Sequence, residues 1–201
     1  MPASRAEPLV QIAGIILAAG ASQRMGTNKM LLKIDDEAVV RRAVRRARFA
    51  GLSPLVVVVG HDAERVQAEL NGFTCEFALN ADFAGPTSTS VHTALMQLRP
   101  TVEAAVVMLA DMVHVTGEMV RAIVDTARET GAPLVVSRYG GVIAPPMLYR
   151  RSLFLELLAW NDDGSGNAVV KAHLHEAAIK DWPESALADI DTPEDFEKLK
   201  S

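Results

Sequence analysis

The chain has little of several features that mark other classes of protein. Its 201 residues include one cysteine, Cys75, which excludes an internal disulfide and a zinc site built from several cysteines. We expect Cys75 to be a small core residue within a strand rather than a nucleophile. No apolar run reaches membrane-spanning length, and residues 1–8 lack the long apolar stretch of a signal peptide. We therefore expect a cytoplasmic protein with a disordered tail over residues 1–8 and no membrane partner.

Positive charge is also scarce. The chain has 20 lysines and arginines against 25 aspartates and glutamates, a formal net charge of −5. This balance argues against a nucleic-acid-binding face, so we expect no nucleic-acid partner. The one basic run alternates with apolar residues at helical spacing, which predicts a solvated helix face opposite a core stripe; it consists of Arg41, Arg42, Arg45, Arg46 and Arg48.

Apolar runs alternate with helical segments along the whole chain. Strands are predicted over Ile12–Ala18, Leu55–Gly60, Thr74–Leu79, Ala104–Leu109, Leu134–Ser137, Met147–Tyr149 and Ala188–Ile190. Helices are predicted over Val39–Ala50, Ala63–Leu70, Ser88–Leu98, Thr116–Thr130, Arg151–Leu158 and Asn167–His175, with a last helix capped by Thr192. This alternation predicts an α/β domain over residues 9–201, with a mostly parallel sheet covered on both faces. Ligands of such sheets bind at the carboxyl ends of the strands.

The segment Leu17–Lys29 leaves the first predicted strand and has the composition of a phosphate-binding loop. Its small residues let backbone N–H groups approach a ligand, and Arg24 and Lys29 supply positive charge for a triphosphate. The spacing of the glycines and the lysine in this segment does not match either of two common phosphate-binding motifs. Two residues separate Gly26 from Lys29, unlike a Walker loop, and Gly20 and Gly26 alone do not complete a dinucleotide fingerprint. From these residues alone, an ordinary strand-to-helix turn with a surface arginine and lysine remains the alternative.

Residues 17–32, L-A-A-G-A-S-Q-R-M-G-T-N-K-M-L-L, closely resemble the signature of nucleotidyltransferases that make nucleotide-linked sugars and cofactors. From Ile12 to Lys198 the chain resembles the molybdenum cofactor cytidylyltransferase branch of the MobA-like transferases. That likeness includes Val58–Ala63, Leu109–Met112 and Asp189–Asp195. It implies a three-layer sandwich with a mostly parallel, Rossmann-like central sheet of the nucleotide-diphospho-sugar transferase type.

The resemblance also implies a reaction and its partners. A terminal phosphate of molybdopterin would attack the α-phosphorus of a nucleoside triphosphate, CTP in this branch, and pyrophosphate would leave. The backbone of Leu17, Ala18, Ala19 and Gly20 would hold the nucleotide, Arg24 the outer phosphates and Lys29 the α-phosphate. Positioned cations suit this chemistry, because phosphoryl-type transfer needs charge stabilisation more than covalent help. A molybdoenzyme or its chaperone is a candidate partner for the product.

Two aspartates are the candidate metal ligands. Asp111 closely follows the apolar strand Ala104–Leu109, where an unpartnered carboxylate is costly to desolvate and Mg²⁺ would be a suitable partner. By resemblance Asp191 takes the position of a second ligand, and Asp189, two residues earlier, could do the same. Each could instead be a turn or helix-capping residue. The family usually has Gly before the first aspartate and Pro two residues after it, where this chain has Ala110 and Val113.

Two further positions bear on the substrates. Ser90 matches a position that contacts base or ribose in related cytidylyltransferases, and helix capping is the alternative for it. Asn167 stands where the branch usually has an arginine that could neutralise a pterin phosphate. The sequence therefore leaves two alternatives open. One is a transferase of the same fold that uses GTP or another acceptor, and the other is a non-catalytic module that binds and delivers molybdenum cofactor.

Overall fold

The computed structural model describes residues 11–159, 165–190 and 192–199. Its strands are β1 (Ile12–Leu17), β2 (Lys33–Ile34), β3 (Glu37–Ala38), β4 (Leu55–Val59), β5 (Glu76–Leu79), β6 (Ala104–Leu109), β7 (Leu134–Tyr139), β8 (Val142–Arg150) and β9 (Ala178–Trp182). Its α-helices are α1 (Val39–Phe49), α2 (Ala63–Glu69), α3 (Thr87–Leu95), α4 (Gly117–Thr130), α5 (Phe154–Ala159), α6 (Ser165–His173) and α7 (Pro193–Lys198). None of the helices in these three ranges is long and apolar enough to cross a membrane. The predicted tail, residues 1–8, lies outside the described residues.

Seven of the described strands form one sheet in the order β5-β4-β1-β6-β8-β7-β9. Strands β5, β4, β1 and β6 run parallel to one another, and β9 runs parallel to β7. Strand β8 is antiparallel to both of its neighbours, β6 and β7. The predicted mostly parallel sheet is therefore confirmed, with one reversed strand inside it.

The reversed strand comes from a tight hairpin that the apolar pattern did not reveal. The sequence predicts strands over Leu134–Ser137 and Met147–Tyr149, but both are longer and meet at Gly140 and Gly141. These glycines have φ values of 55° and 101°. Positive φ at both central residues is the geometry that joins twisted antiparallel strands through a two-residue turn. The Gly-Gly pair thus turns the chain back, and β8 enters the sheet beside β6.

Two separate cores cover the two faces of the sheet. Alternation along β1 sends Ile12 and Ile16 into one core and Ala13, Ile15 and Leu17 into the other. The first core is completed by helices α1, α2, α4 and α7, and the second by α3, α5 and α6. The result is the predicted three-layer sandwich, helices–sheet–helices.

The C-terminal segment agrees with the prediction in one place and differs in two. The last helix begins after Thr192, whose side chain accepts from the backbone N–H of Asp195 at 3.3 Å, as predicted for a capped start. The predicted strand Ala188–Ile190 is wrong, because this segment is irregular and Ile190 is buried through loop packing. The alternating segment β9 was missed as a strand and pairs with β7 at the edge of the sheet.

Cys75 lies just before β5 rather than within a strand, so that part of its prediction is wrong. The thiol is partly buried and packs against the first core. Burial raises its pKa above the ordinary value. A raised pKa lowers the thiolate fraction, which agrees with a packing role and not a nucleophilic one.

Candidate active site

A cleft of about 260 Å³ lies at the carboxyl ends of β1 and β6. These strands pair in parallel, with Leu17 opposite Leu109, so the residues that follow them lie side by side. The backbone N–H of Ala110 donates to the carbonyl of Leu17 at 3.2 Å and holds the two strand ends together. The cleft is lined by Leu17, Ala18, Ala19, Gly20, Lys29, Met30, Phe83, Gly85, Pro86, Thr87, Ser90, Leu109 and Asp111.

The first turn of the loop after β1 is fixed by the neighbouring strand end. The N–H of Ala18 donates to Val58 at 2.9 Å, and the carbonyl of Ala19 accepts from the N–H of His61 at 3.0 Å. Gly60 permits this approach, because a Cβ there would collide with Phe83 and Ala19. At Gly20, by contrast, an added Cβ would have no atom within 4 Å. The absence of a side chain at Gly20 therefore leaves a space at the cleft wall that is open to a ligand. Any side chain at this position would fill part of that space.

Lys29 and Asp111, predicted separately as an α-phosphate ligand and a metal ligand, form an ion pair across the cleft. The exposed fractions of their side chains are 15% and 13%, so both charges are largely shielded from bulk water. A carboxylate at this position therefore holds a cation, here the ammonium of Lys29. The sequence placed both residues at one edge of the sheet but did not reveal that they touch.

Lys29 is aimed by the short 3-10 helix Lys29–Leu31, in which it is the first residue. The buried side chain of Asn28 caps this helix by accepting from the N–H of Met30 at 3.0 Å, and its amide donates to the carbonyl of His61 at 3.2 Å. The hydroxyl of Ser22 accepts from the N–H of Lys29 at 3.1 Å. Asn28 was not singled out from the sequence, although an Asn directly before a lysine-led turn is a capping signal.

Arg24 lies on the 3-10 helix Gln23–Met25, and its side chain is exposed. The residues on either side of this turn have left-handed backbone conformations, with φ values of 51° at Ser22 and 66° at Gly26. Among the described residues Arg24 does not line the cleft, whereas Lys29 does. The structure thus places the two predicted cations differently, one at the centre of the site and one on an exposed turn.

Ser90 lies on α3 and lines the cleft, and its hydroxyl is held by a residue that the sequence analysis missed. The amide of Asn80 donates to the hydroxyls of Ser90 and Thr89, both at 2.9 Å. Its carbonyl oxygen accepts from the N–H of Asp82 at 2.9 Å. Because the Ser90 oxygen accepts from Asn80, its own proton is available to a ligand. Asn80 is 3% exposed, and its signal in the sequence was an asparagine directly after the predicted strand Thr74–Leu79.

The other predicted metal ligands are not assembled by the described part of the chain. Asp191 lies outside the described residues, and Asp189 is exposed on the irregular segment before it. The predicted strand Ala188–Ile190, which would have carried Asp189, does not form. Over residues 11–159, 165–190 and 192–199, no group of three or more His, Cys, Asp or Glu side chains could hold a metal. Asp111 still fits magnesium, which binds through one or two carboxylates plus substrate phosphates and water.

A second cavity, of about 280 Å³, adjoins the cleft and shares Leu17, Thr87 and Leu109 with it. Within the described part of the chain, no charged side chain lines this second cavity, and most of its wall is apolar. The hydroxyl of Ser88 in its wall is buried without a hydrogen-bond partner among the described residues. The remaining lining residues are Val91, Val107, Ile143, Ala144, Pro145, Met147, Tyr149, Leu157 and Val170.

Hydrogen bonds made by side chains of α3, α5 and α6 connect the helices that form the wall of the second cavity. His92 of α3 contacts the carbonyl of Leu157 at 2.8 Å. His173 of α6 hydrogen-bonds Glu176 at 2.5 Å and Glu156 of α5 at 2.8 Å. These two hydrogen bonds, that to Glu176 first, raise the pKa of His173 above its ordinary value of 6.5. Asn167 lies on α6, but its side chain is outside what the structure describes.

Residues 14–177 match the MobA-like NTP transferase domain family. The chain belongs to this family. The bifunctional protein GlmU of Bacillus mycoides (strain KBAB4) is 33% identical to it over 173 residues, which are 83% of this chain and 35% of GlmU. The chain therefore spans about a third of the length of the curated relatives it matches.

Solved structures of similar proteins can be superposed on nearly the whole of this chain. Rv0371c from Mycobacterium tuberculosis H37Rv has a TM-score of 0.84 and 28% identity, with 95% of this chain and 98% of that chain covered. A structure of the same protein in complex with manganese has a TM-score of 0.80 and 27% identity, with the same coverage. The expected architecture, of the nucleotide-diphospho-sugar transferase type, is confirmed.

Proposed function

We propose that the chain is a magnesium-dependent nucleotidyltransferase, and that CTP and molybdopterin are its substrates. The observation that carries the proposal is the Lys29–Asp111 ion pair, which lies in a cleft walled by the backbone of Leu17–Gly20. A cation in contact with a carboxylate that can bind metal, beside a loop of small residues whose backbone lines the cleft, matches the needs of a bound triphosphate.

In the proposed reaction an oxygen of the acceptor's terminal phosphate forms a bond to the α-phosphorus. The bond from the α-phosphorus to the bridging oxygen breaks, and pyrophosphate leaves with the electron pair. The ammonium of Lys29 exchanges its contact with Asp111 for the α-phosphate oxygens, where negative charge grows. Asp111 would hold Mg²⁺, which would supply positive charge to offset that of the leaving pyrophosphate. Arg24 reaches the outer phosphates in this proposal, and Asp191 supplies the second carboxylate.

The preference for CTP is supported by the geometry around Ser90. Its hydroxyl, oriented by Asn80, can donate to a carbonyl oxygen of a pyrimidine or to a ribose oxygen. A purine needs more room than a pyrimidine between Gly20 and the segment Gly85–Ser90, both of which line the cleft.

The acceptor is supported by the second cavity. Its uncharged and mostly apolar wall suits a flat ring better than a sugar phosphate, whose many hydroxyls and charge need polar partners. The unpartnered hydroxyl of Ser88 offers such a ring one hydrogen bond. A phosphate attached to a ring in this cavity would lie towards the shared residues Leu17 and Leu109, next to the Lys29–Asp111 pair. A molybdoenzyme or its chaperone would then receive the product.

Thermal shift with CTP, GTP, ATP and UTP, each with and without magnesium, tests the donor. A ligand that binds only the folded state raises the melting temperature in proportion to the logarithm of its concentration over Kd. We expect the largest magnesium-dependent rise with CTP. Asp111→Asn should lose the magnesium-dependent part, while the matched surface variant Asp125→Asn on α4 should keep it. A rise with GTP alone would contradict the cytidylyl assignment, and no rise with any triphosphate would contradict nucleotidyl transfer.

A further inference from the structure

Three arginines of the basic run are only partly exposed and donate to backbone carbonyls, which corrects the predicted solvated face; they are Arg41, Arg42 and Arg46. Arg45 and Arg48 are exposed, as predicted for that face, and Arg45 pairs with Glu37 at 2.6 Å. Arg46, on the same helix, points instead towards the loop that follows β6. Its guanidinium donates to the carbonyl of Met112 at 3.3 Å and to that of Val113 at 2.5 Å. These two carbonyls come directly after Asp111.

The surroundings of Arg46 make these two hydrogen bonds important to the loop. The guanidinium lies among apolar groups of α1, β6, the loop and Pro146, and the gap beside it is about 10 Å³. A gap of this size hardly admits one water molecule. Burial, together with the charges of Arg42 and Arg45, lowers the pKa of Arg46 to about 10, so it remains charged at neutral pH. A charge in such a place needs good partners, and the loop carbonyls supply them.

Besides Arg46, the ion pair of Asp111 with Lys29 and the buried side chains of Met112, Val113 and Val115 hold this loop. The N–H of Ala110 is bonded to Leu17, and the N–H of Val115 to the carbonyl of Met112 at 3.2 Å. The Met112 carbonyl therefore accepts from both Val115 and Arg46. Arg46 links this turn to α1, which packs on the opposite face of the sheet from Ser90.

We propose that Arg46 is a positioning residue that holds the loop of Asp111 in the conformation that binds metal and triphosphate. It acts through Asp111 and does not touch the substrate. The inference rests on the proposed function, because the metal at Asp111 is part of that function. Loss of a group that orients a metal ligand typically costs about 10- to 100-fold in metal affinity or activity.

The test compares Arg46→Met, which has no donors, with Arg46→Lys and with the matched variant Arg45→Met on the same helix. Four quantities are measured for each: Mn²⁺ affinity by electron paramagnetic resonance with CTP present, kcat, KM for CTP, and hydrogen exchange of residues 111–115 without ligand. For Arg46→Met we expect a Kd for Mn²⁺ raised about 10-fold or more, a lower kcat and faster exchange in the loop. KM should change less than kcat, Arg46→Lys should recover part of each loss, and Arg45→Met should match the wild type.

A purely structural role would give a different result. Arg46→Met would then melt at a lower temperature but keep normal Mn²⁺ affinity and kcat when assayed well below its melting point, and this would overturn the proposal. Unchanged exchange of residues 111–115 would overturn it as well. If the wild type forms no transfer product, the proposed function fails, and the exchange measurement still decides whether Arg46 holds the loop.

Discussion

Asn80→Ala gives the sharpest test of how the fold supports the cleft. Asn80 is buried and makes three side-chain hydrogen bonds of 2.9 Å, to Thr89, Ser90 and the N–H of Asp82. At about 1 kcal/mol net for each bond, the variant should lose about 3 kcal/mol of unfolding free energy. For a chain of this size that corresponds to a melting temperature lower by about 6–12 °C.

The assay is urea and thermal unfolding, with Asn71→Ala as the control. Asn71 lies on the exposed turn after α2, so the same substitution there should cost less than about 0.5 kcal/mol. Asn80→Ala should also raise KM for the nucleotide, since Ser90 loses the group that orients its hydroxyl. A loss below about 1 kcal/mol together with an unchanged KM would refute this account of the Asn80 network.

Three more predictions follow from the cleft and its surroundings. Gly20→Ala should fold normally, because no atom lies within 4 Å of the added Cβ, yet should weaken CTP binding measured by calorimetry; unchanged affinity would show that no ligand uses this space. In single-turnover kinetics Lys29→Ala should slow the chemical step more than it weakens binding, whereas Arg24→Ala should mainly weaken triphosphate binding. His173→Gln should lower the urea midpoint at about pH 5. The hydrogen bonds of protonated His173 to Glu176 and Glu156 stabilise the fold fully below pH 6.5, and this stabilisation is lost as the pH rises through the raised pKa of His173. The effect of the substitution should therefore disappear at higher pH. An effect that does not depend on pH would contradict the raised pKa of His173.

Much of the fold could be predicted because apolar periodicity reports which residues are buried. Strand β6 has the predicted bounds, and β1 and β4 each end one residue before theirs. The antiparallel strand β8 was mistaken for a short segment because its turn signal, Gly140-Gly141, was not weighed. At Ile190 the error was the opposite, because a strand was predicted where none forms. Ile190 is apolar and buried, but it lies in a loop, and an apolar residue in the sequence does not distinguish a buried loop from a strand.

Several predicted site residues lie in one cleft, but the sequence did not reveal which of them are in contact. Residues after parallel strands share one edge of the sheet, so Lys29 and Asp111 could be placed in the same cleft. Their ion pair depends on the turn that Asn28 caps, and the position of Ser90 depends on Asn80. Such partners are far apart in sequence and have no periodic signal, which is also why Arg46 was assigned to a solvated face.

The most direct test of the central claim is transfer of the α-phosphate. The protein is incubated with magnesium, molybdopterin and CTP labelled at the α-phosphate, and the label and the released pyrophosphate are both quantified. The account predicts that label enters the pterin product in equal amount to pyrophosphate, that Asp111→Asn nearly abolishes both, and that Asp125→Asn retains both. Label that stays in CTP in the wild type while the protein still binds nucleotide and pterin would contradict the account and favour a non-catalytic binding module.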